Sequence, residues 1–225
     1  EFRRVLFRSK PQRIFQGQLQ PHVVIHAAGR VGGPTGLLRS VDGGRTWSVR
    51  DMADVAGMIL DVRFFDERTG LVFASSSSDA ETTEGLILKT VDGGATWRPV
   101  YRSGRKAELI WKASFVDART GYATVQSYDT ARSQQVIIKT VDGGESWKEL
   151  PLVVDAGARQ FGIGFVDEKR GWVGTMAGGF ETTDGGLTFA RTGIAKAANK
   201  FRVVRDGKSV RVFAIGTQVQ RLTLS

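Results

Sequence analysis

The chain has 225 residues, of which 41% are hydrophobic and 24% charged, enough for one sizeable core or one large all-β domain. It has no cysteine, so disulfides, thiolate metal sites and cysteine nucleophiles are excluded, and no apolar run approaches the ~18–20 residues of a membrane-spanning helix. The net charge of +9 sits at the ends, +2 in residues 1–9 and +7 in residues 190–225, while residues 10–189 carry 21 basic and 21 acidic side chains; this argues against a long basic groove for nucleic acid.

Residues 1–9 read EFRRVLFRS, which is what a widely used short-read sequencing adapter encodes in one frame. They are set aside from fold reasoning, with the native chain expected to begin upstream of Lys10. Residues 10–50 form a partial first unit. In it His22 and His26 lie four apart, on one face of a strand, without a third ligand nearby, so packing rather than metal binding is expected. The unit closes on SVDGGRTW, residues 40–47.

The second unit, 58–102, reads as four strands. Residues 59–65 are a strand, 66–70 (DERTG) a turn, 71–75 a strand, and 76–84 a polar loop that takes up most of the serine run 75–78. Residues 86–90 are a third strand, 92–94 a tight turn and 96–101 a fourth strand. The same order recurs in 108–152, with FVDARTG and TVDGGESW, and in 160–192, with FVDEKRG and TTDGGLTF. A last unit, 200–225, has strands FRVVR, SVRVFAIG and VQRLTL and lacks the Asp-Gly-Gly turn. Asp42, Asp92, Asp142 and Asp184 are spaced 50, 50 and 42 apart, and Asp66, Asp117 and Asp167 are spaced 51 and 50 apart. Two motifs locked at one period mark a repeat architecture. Asp followed by Gly between apolar runs is a hairpin signal, because glycine accepts positive φ and the carboxylate accepts N–H bonds from its own turn. Four strands per repeat predict an all-β chain, a β-propeller of four-stranded antiparallel blades.

The pattern Ser/Thr-x-Asp-x-Gly-x-Ser/Thr-Trp/Phe resembles the Asp-box, or BNR repeat, of sialidases, sortilin-type receptors and related propellers. With the companion Phe-x-Asp-x-x-x-Gly string, the chain is most similar to photosystem II stability/assembly factor-like propellers. The resemblance runs strongly from residue 36 to about 192. It implies a ring of about seven blades, of which about five are visible, closed by an N-terminal strand that is absent or lies in 13–19. It further implies a non-catalytic binding or assembly role for an exported, periplasmic protein, without a cofactor.

Asp42, Asp92, Asp142 and Asp184, with Asp66, Asp117 and Asp167, are expected to cap turns on one end of the ring. Trp47, Trp97, Trp147 and Phe189 are expected to seal blade against blade. Function is expected on the opposite end, where the loops differ between repeats. Candidate binding residues there are Arg105, Lys106, Arg132, Arg159 and Tyr128. Asp61, Arg63 and Lys112, on the innermost strands, are candidates for facing the central channel. This mixed polar face suits a protein or glycan partner. The alternative is a glycoside hydrolase, for which Asp61, Glu108 and Asp129 are the nearest candidate carboxylates. The early Phe/Tyr-Arg-Ile/Leu-Pro motif of sialidases is not matched by QRIF at 12–15.

Overall fold

The computed structural model describes residues 7–8, 24–29, 35–207 and 209–224; His22 and the segment 13–19 lie outside them. The described residues form five antiparallel sheets and no helix. The first sheet holds β1 (Phe7–Arg8), β2 (Ile25–Gly29), β3 (Gly36–Ser40) and β4 (Ser48–Asp51), so its first strand comes from the stretch set aside above. The second holds β5 (Met58–Phe64), β6 (Gly70–Ser75), β7 (Gly85–Thr90) and β8 (Arg98–Arg102). The third holds β9 (Glu108–Phe115), β10 (Gly121–Ser127), β11 (Gln134–Thr140) and β12 (Lys148–Val154). The fourth holds β13 (Gln160–Phe165), β14 (Gly171–Thr175), β15 (Gly178–Thr182) and β16 (Ala190–Thr192). The fifth has three strands, β17 (Lys200–Asp206), β18 (Ser209–Ile215) and β19 (Val219–Leu224). Strands follow chain order in every sheet, the arrangement of propeller blades.

Each apolar cluster lies between consecutive sheets. Ala28 and Leu37 meet Ile59, Val62, Leu86 and Leu88; Leu71, Phe73 and Ile87 meet Ile110, Ala123 and Ile138; Tyr122 and Ile137 meet Ile163, Val173 and Phe180; Trp172 meets Phe201, Val212 and Ala214. The middle strands are covered on both faces, which is why β6 and β7 read as near-continuous apolar runs and are buried throughout. Trp97, Trp147 and Phe189 pack onto the clusters formed with the preceding sheet. Trp47 has no preceding sheet among the described residues and is 40% exposed.

The two repeated turns share one end and bind each other. Within each repeat the first Asp-box glycine donates its N–H to the carbonyl of the other turn: Gly93 to Arg68 and Gly185 to Lys169 at 2.8 Å, Gly143 to Arg119 at 2.9 Å. In each Asp-box, the Ser or Thr hydroxyl before the aspartate donates to Asp Oδ1 and accepts the N–H of the second glycine. For Thr140 these distances are 2.8 Å to Asp142 and 2.9 Å from Gly144. The aspartate also takes the N–H and hydroxyl of the residue four on, as Asp92 does from Thr96 at 2.9 and 2.5 Å. Hydrogen bonds from Thr46 and Thr96 hold Asp42 and Asp92 well below the usual carboxylate range, and those from Thr188 hold Asp184 at about 2. At Asp142 burial opposes the effect, and the bonds from Ser146 and Thr140 still bring it to about 2. Carboxylates so fully used are turn caps.

Candidate functional site

The innermost strands β5, β9, β13 and β17 enclose a channel. In β5, β9 and β13 the pairing with the second strand slips by one residue, at Leu60, Trp111–Lys112 and Phe161–Gly162. Such bulges place two residues opposite one and re-aim the side chains around them. Asp61 is thereby brought to the next inner strand. It accepts the Ala113 N–H at 3.1 Å and the Val62 N–H at 3.2 Å, with Lys112 Nζ 4.0 Å away. Lys112 Nζ donates to the Leu60 carbonyl at 2.7 Å. Burial pushes Asp61 up, against the pull of Lys112, and burial pushes the Arg63 guanidinium down, against Asp61. Of the inner-strand candidates, Asp61 thus stands beside Lys112 and acts electrostatically on Arg63.

The channel widens toward the Asp-box end rather than the loop end. A cavity of about 410 Å³ there is lined by Asp61, Arg63, Ser114, Phe115, Phe165, Phe201, Arg202 and Arg205, among others. A smaller space of about 80 Å³ continues toward the loop end past Lys112 and Lys200. Sequence reasoning counted Lys200, Arg202 and Arg205 in the C-terminal charge excess but did not place them in the channel. The last repeat has no Asp turn to set the phase of β17, and only the strand alternation FRVVR hinted at it. The pair Trp111 and Phe161, edge to face with centroids 6.2 Å apart at the bulges, also escaped that reading.

On the loop end, Arg105 and Arg132 converge on Glu108, which is 1% exposed. Arg105 Nε donates to Glu108 at 2.8 Å and its Nη2 to Glu149 at 2.6 Å, and Arg132 Nε is 3.4 Å from Glu108. The Tyr101 hydroxyl donates to Glu149 at 2.8 Å. Burial pushes the Tyr101 phenol well above its ordinary value, helped by Glu149, and burial at Glu149 is outweighed by Arg105 and Tyr101, which hold it low. This network fastens the second sheet to the third; its sequence signal was absent because Glu149 and Tyr101 sit on outer strands 48 residues apart. Lys106 and Arg159 stay exposed, and the Arg159 guanidinium lies 5.7 Å over the half-buried Tyr128 ring. Asp129 caps its own loop, accepting the Ala131 N–H at 2.9 Å.

His26 is buried and stacked on Phe64 at 3.4 Å. Among the described residues no group of three or more His, Asp or Glu side chains gathers at metal-binding range, and no helix is long and apolar enough to cross a membrane.

No protein-family model and no curated protein sequence matches the chain. Among solved structures it is similar to YCF48 from Cyanidioschyzon merolae, with a TM-score of 0.58 and 16% identity over 89% of this chain and 63% of that one. It is also similar to an ancestral GH74 enzyme, with a TM-score of 0.58 and 15% identity over 88% of this chain and 29% of that one. A third is Penicillium chrysogenum alpha-L-arabinanase complexed with arabinobiose, with a TM-score of 0.53 and 16% identity over 90% of this chain and 74% of that one. The chain thus spans less than two-thirds of the length of the first two. At such identities the likeness is one of fold: the chain is built of β-propeller blades, and four of them carry the repeated Asp-x-Gly hairpin.

Proposed function

We propose that the chain is a non-catalytic binding propeller that recognises a protein segment on the end opposite its Asp-box hairpins. The observation that carries this is the Glu108 network. Two arginines hold a buried carboxylate between two loops, which makes it a fastener for the loop face rather than an acid or a base. That fastening leaves Lys106, Arg159 and Tyr128 on a surface of fixed shape, and a pre-ordered surface loses little entropy on binding. A glycosidase mechanism draws on two carboxylates ~5–10 Å apart across a cleft. The three candidates are each engaged separately, Asp61 on an inner strand, Glu108 by arginines and Asp129 in its own turn.

The test is capture of partners from the native cell extract on the immobilised full chain, with Lys106→Glu and Arg159→Glu as a double variant. Retention of a protein at low salt and its loss by at least tenfold in the double variant is the expected result. Hydrolysis of arabinan or β-glucan reporters that disappears in Glu108→Gln or Asp129→Asn would replace this reading with a hydrolase.

A further inference from the structure

We infer that Met176 is a reversible oxidation site, a thioether that peroxide converts to the sulfoxide, switching recognition on the loop end of the propeller. The chain has three methionines and no cysteine. Met52 and Met58 are 0% and 1% exposed, whereas Met176 is 53% exposed. Met176 therefore holds the one sulfur of the chain that a dissolved oxidant reaches without the fold opening. Its exposure is built into the turn that carries it. Met176 and Ala177 are the whole connection between β14 and β15, where the second and third sheets have the longer loops 76–84 and 128–133. Both residues are tied down. The Met176 N–H donates to the Arg159 carbonyl at 2.9 Å, and the Ala177 carbonyl accepts from Arg191 Nη1 at 3.2 Å. Arg191 Nη2 in turn pairs with Asp155 at 3.0 Å, and the Thr175 hydroxyl closes the turn on the Gly178 carbonyl at 2.8 Å. A turn so anchored keeps its thioether in solvent.

The same bonds join Met176 to the loop face proposed above, and the switch rests on that reading. Arg159, whose carbonyl holds the Met176 N–H, lays its guanidinium 5.7 Å over the Tyr128 ring. The Tyr128 N–H reaches the Ala107 carbonyl at 2.7 Å, next in the chain to Lys106. Met176 adds to this row a flexible, polarisable apolar group of the kind that binding surfaces gather. Oxidation replaces that chemistry. The O–O bond of hydrogen peroxide breaks, one oxygen bonds to Sδ, the sulfur lone pair supplies the two electrons, and the peroxide is reduced to water. The sulfoxide is polar and accepts hydrogen bonds, so covering it with a partner costs the hydration that the thioether lacked.

Peptide mapping by mass spectrometry after graded hydrogen peroxide, quenched with catalase, tests the site on the full chain. Met176 is expected to gain one oxygen at least about tenfold faster than Met52 or Met58, with the thermal midpoint unchanged by circular dichroism. The two methionine sulfoxide reductases, one for each epimer, are expected to restore the thioether in the folded chain. Equal rates at the three methionines, or a sulfoxide that the reductases do not repair, overturns the proposal. Capture of a partner from desalted native extract, compared before peroxide, after it and after repair, tests the switch. Capture is expected to fall about fivefold or more and to recover on repair, while Met176→Leu captures the same amount before and after peroxide. Undiminished capture by the sulfoxide form overturns the switch. A reduced chain that captures nothing overturns the loop-face reading and the switch with it, while the oxidation map still decides the site.

Discussion

His26, Leu71, Tyr122 and Trp172 occupy one position of the repeat, each opposite a residue of the third strand: Arg39, Lys89, Lys139 and Glu181. At His26 and Tyr122 the position covers the inner-strand aromatic of the next sheet. Tyr122 stacks on Phe165 at 3.5 Å, as His26 does on Phe64, and the Tyr122 hydroxyl donates to the Glu168 carbonyl at 2.8 Å. A histidine here is a flat packing group that is costly to charge. Burial, with Arg39 adding repulsion, brings it to about 4 from 6.5, against a hydrogen bond to the Gly93 backbone. The folded pKa lies below the unfolded one, so the unfolded state takes up the proton first and stability falls as the pH drops from 6.5 to 4. The loss is on the order of 3 kcal/mol. Asp61, raised by burial, works in the opposite sense, so the histidine is isolated as the difference between wild type and His26→Phe. Urea unfolding at pH 7 and pH 4 should show that difference change by this amount; a difference independent of pH would mean an imidazole that stays solvated. The sequence showed two histidines four apart without a third ligand and favoured packing over metal binding. Strand spacing gives the face a side chain takes, while the identity of the ring beneath it belongs to the next repeat.

At the scale of the element, the companion turn explains why its phenylalanine and glycine travel together. A Cβ at Gly70 would meet the Phe64 ring at 2.7 Å and one at Gly171 the Phe165 ring at 2.5 Å; Gly121 stands in the same relation to Phe115. The last glycine of the motif is bare because the first residue of the motif lies across it. Phe165 is 3% exposed and held by Tyr122, so it has nowhere to retreat. Gly171→Ala is therefore expected to cost about 1–3 kcal/mol in denaturant unfolding. In a Phe165→Leu background the smaller side chain leaves room for the methyl, so the two substitutions should cost less together than their sum. Strict additivity would place the alanine methyl elsewhere. Both turns, the hairpin aspartates and the strand order were legible in the sequence because each is written in residues a few positions apart. The inner-strand bulges at Leu60, Trp111 and Phe161 were not, because a bulge is a relation between two strands and leaves the alternation of either one intact. The channel followed from the bulges, so Asp61 and Lys112 could be named as candidates while the wide end of the cavity could not.

Across the molecule, the packing contacts between sheets among the described residues join neighbours, so stability is close to a sum of sheets and interfaces. At the Asp-box end the interfaces are stapled by cations reaching forward. Arg50 donates to the Ala95 and Gly94 carbonyls, Lys89 Nζ to Gly143 at 2.9 Å, and Lys139 Nζ to Gly185 at 3.4 Å. Lys89, 6% exposed, also pairs with Glu145 at 2.8 Å. The fourth sheet breaks the series. Glu181 stands where the lysines stood and turns back to Arg170 at 2.9 Å within its own sheet, and the fifth sheet has no Asp-box carbonyl to receive a staple. What joins the fourth and fifth sheets is apolar contact around Trp172, with backbone bonds such as Gly162 N–H to Ala198 at 2.8 Å and a cation reaching back rather than forward, from Arg205 to the Val166 carbonyl. The fifth sheet is also the three-stranded one, and the residues of β19 are all exposed or half-buried. Local opening should begin there. Native-state hydrogen exchange is expected to place the β17–β19 amides at least about 1 kcal/mol below those of β10 and β11, which are enclosed by sheets on both sides. Substituting Lys89→Met should lower the opening free energy of the second and third sheets and leave that of the fifth where it was. Equal protection across all five sheets would mean that the interfaces are cooperative over the whole ring, and that the staples hold no boundary between one blade and the next.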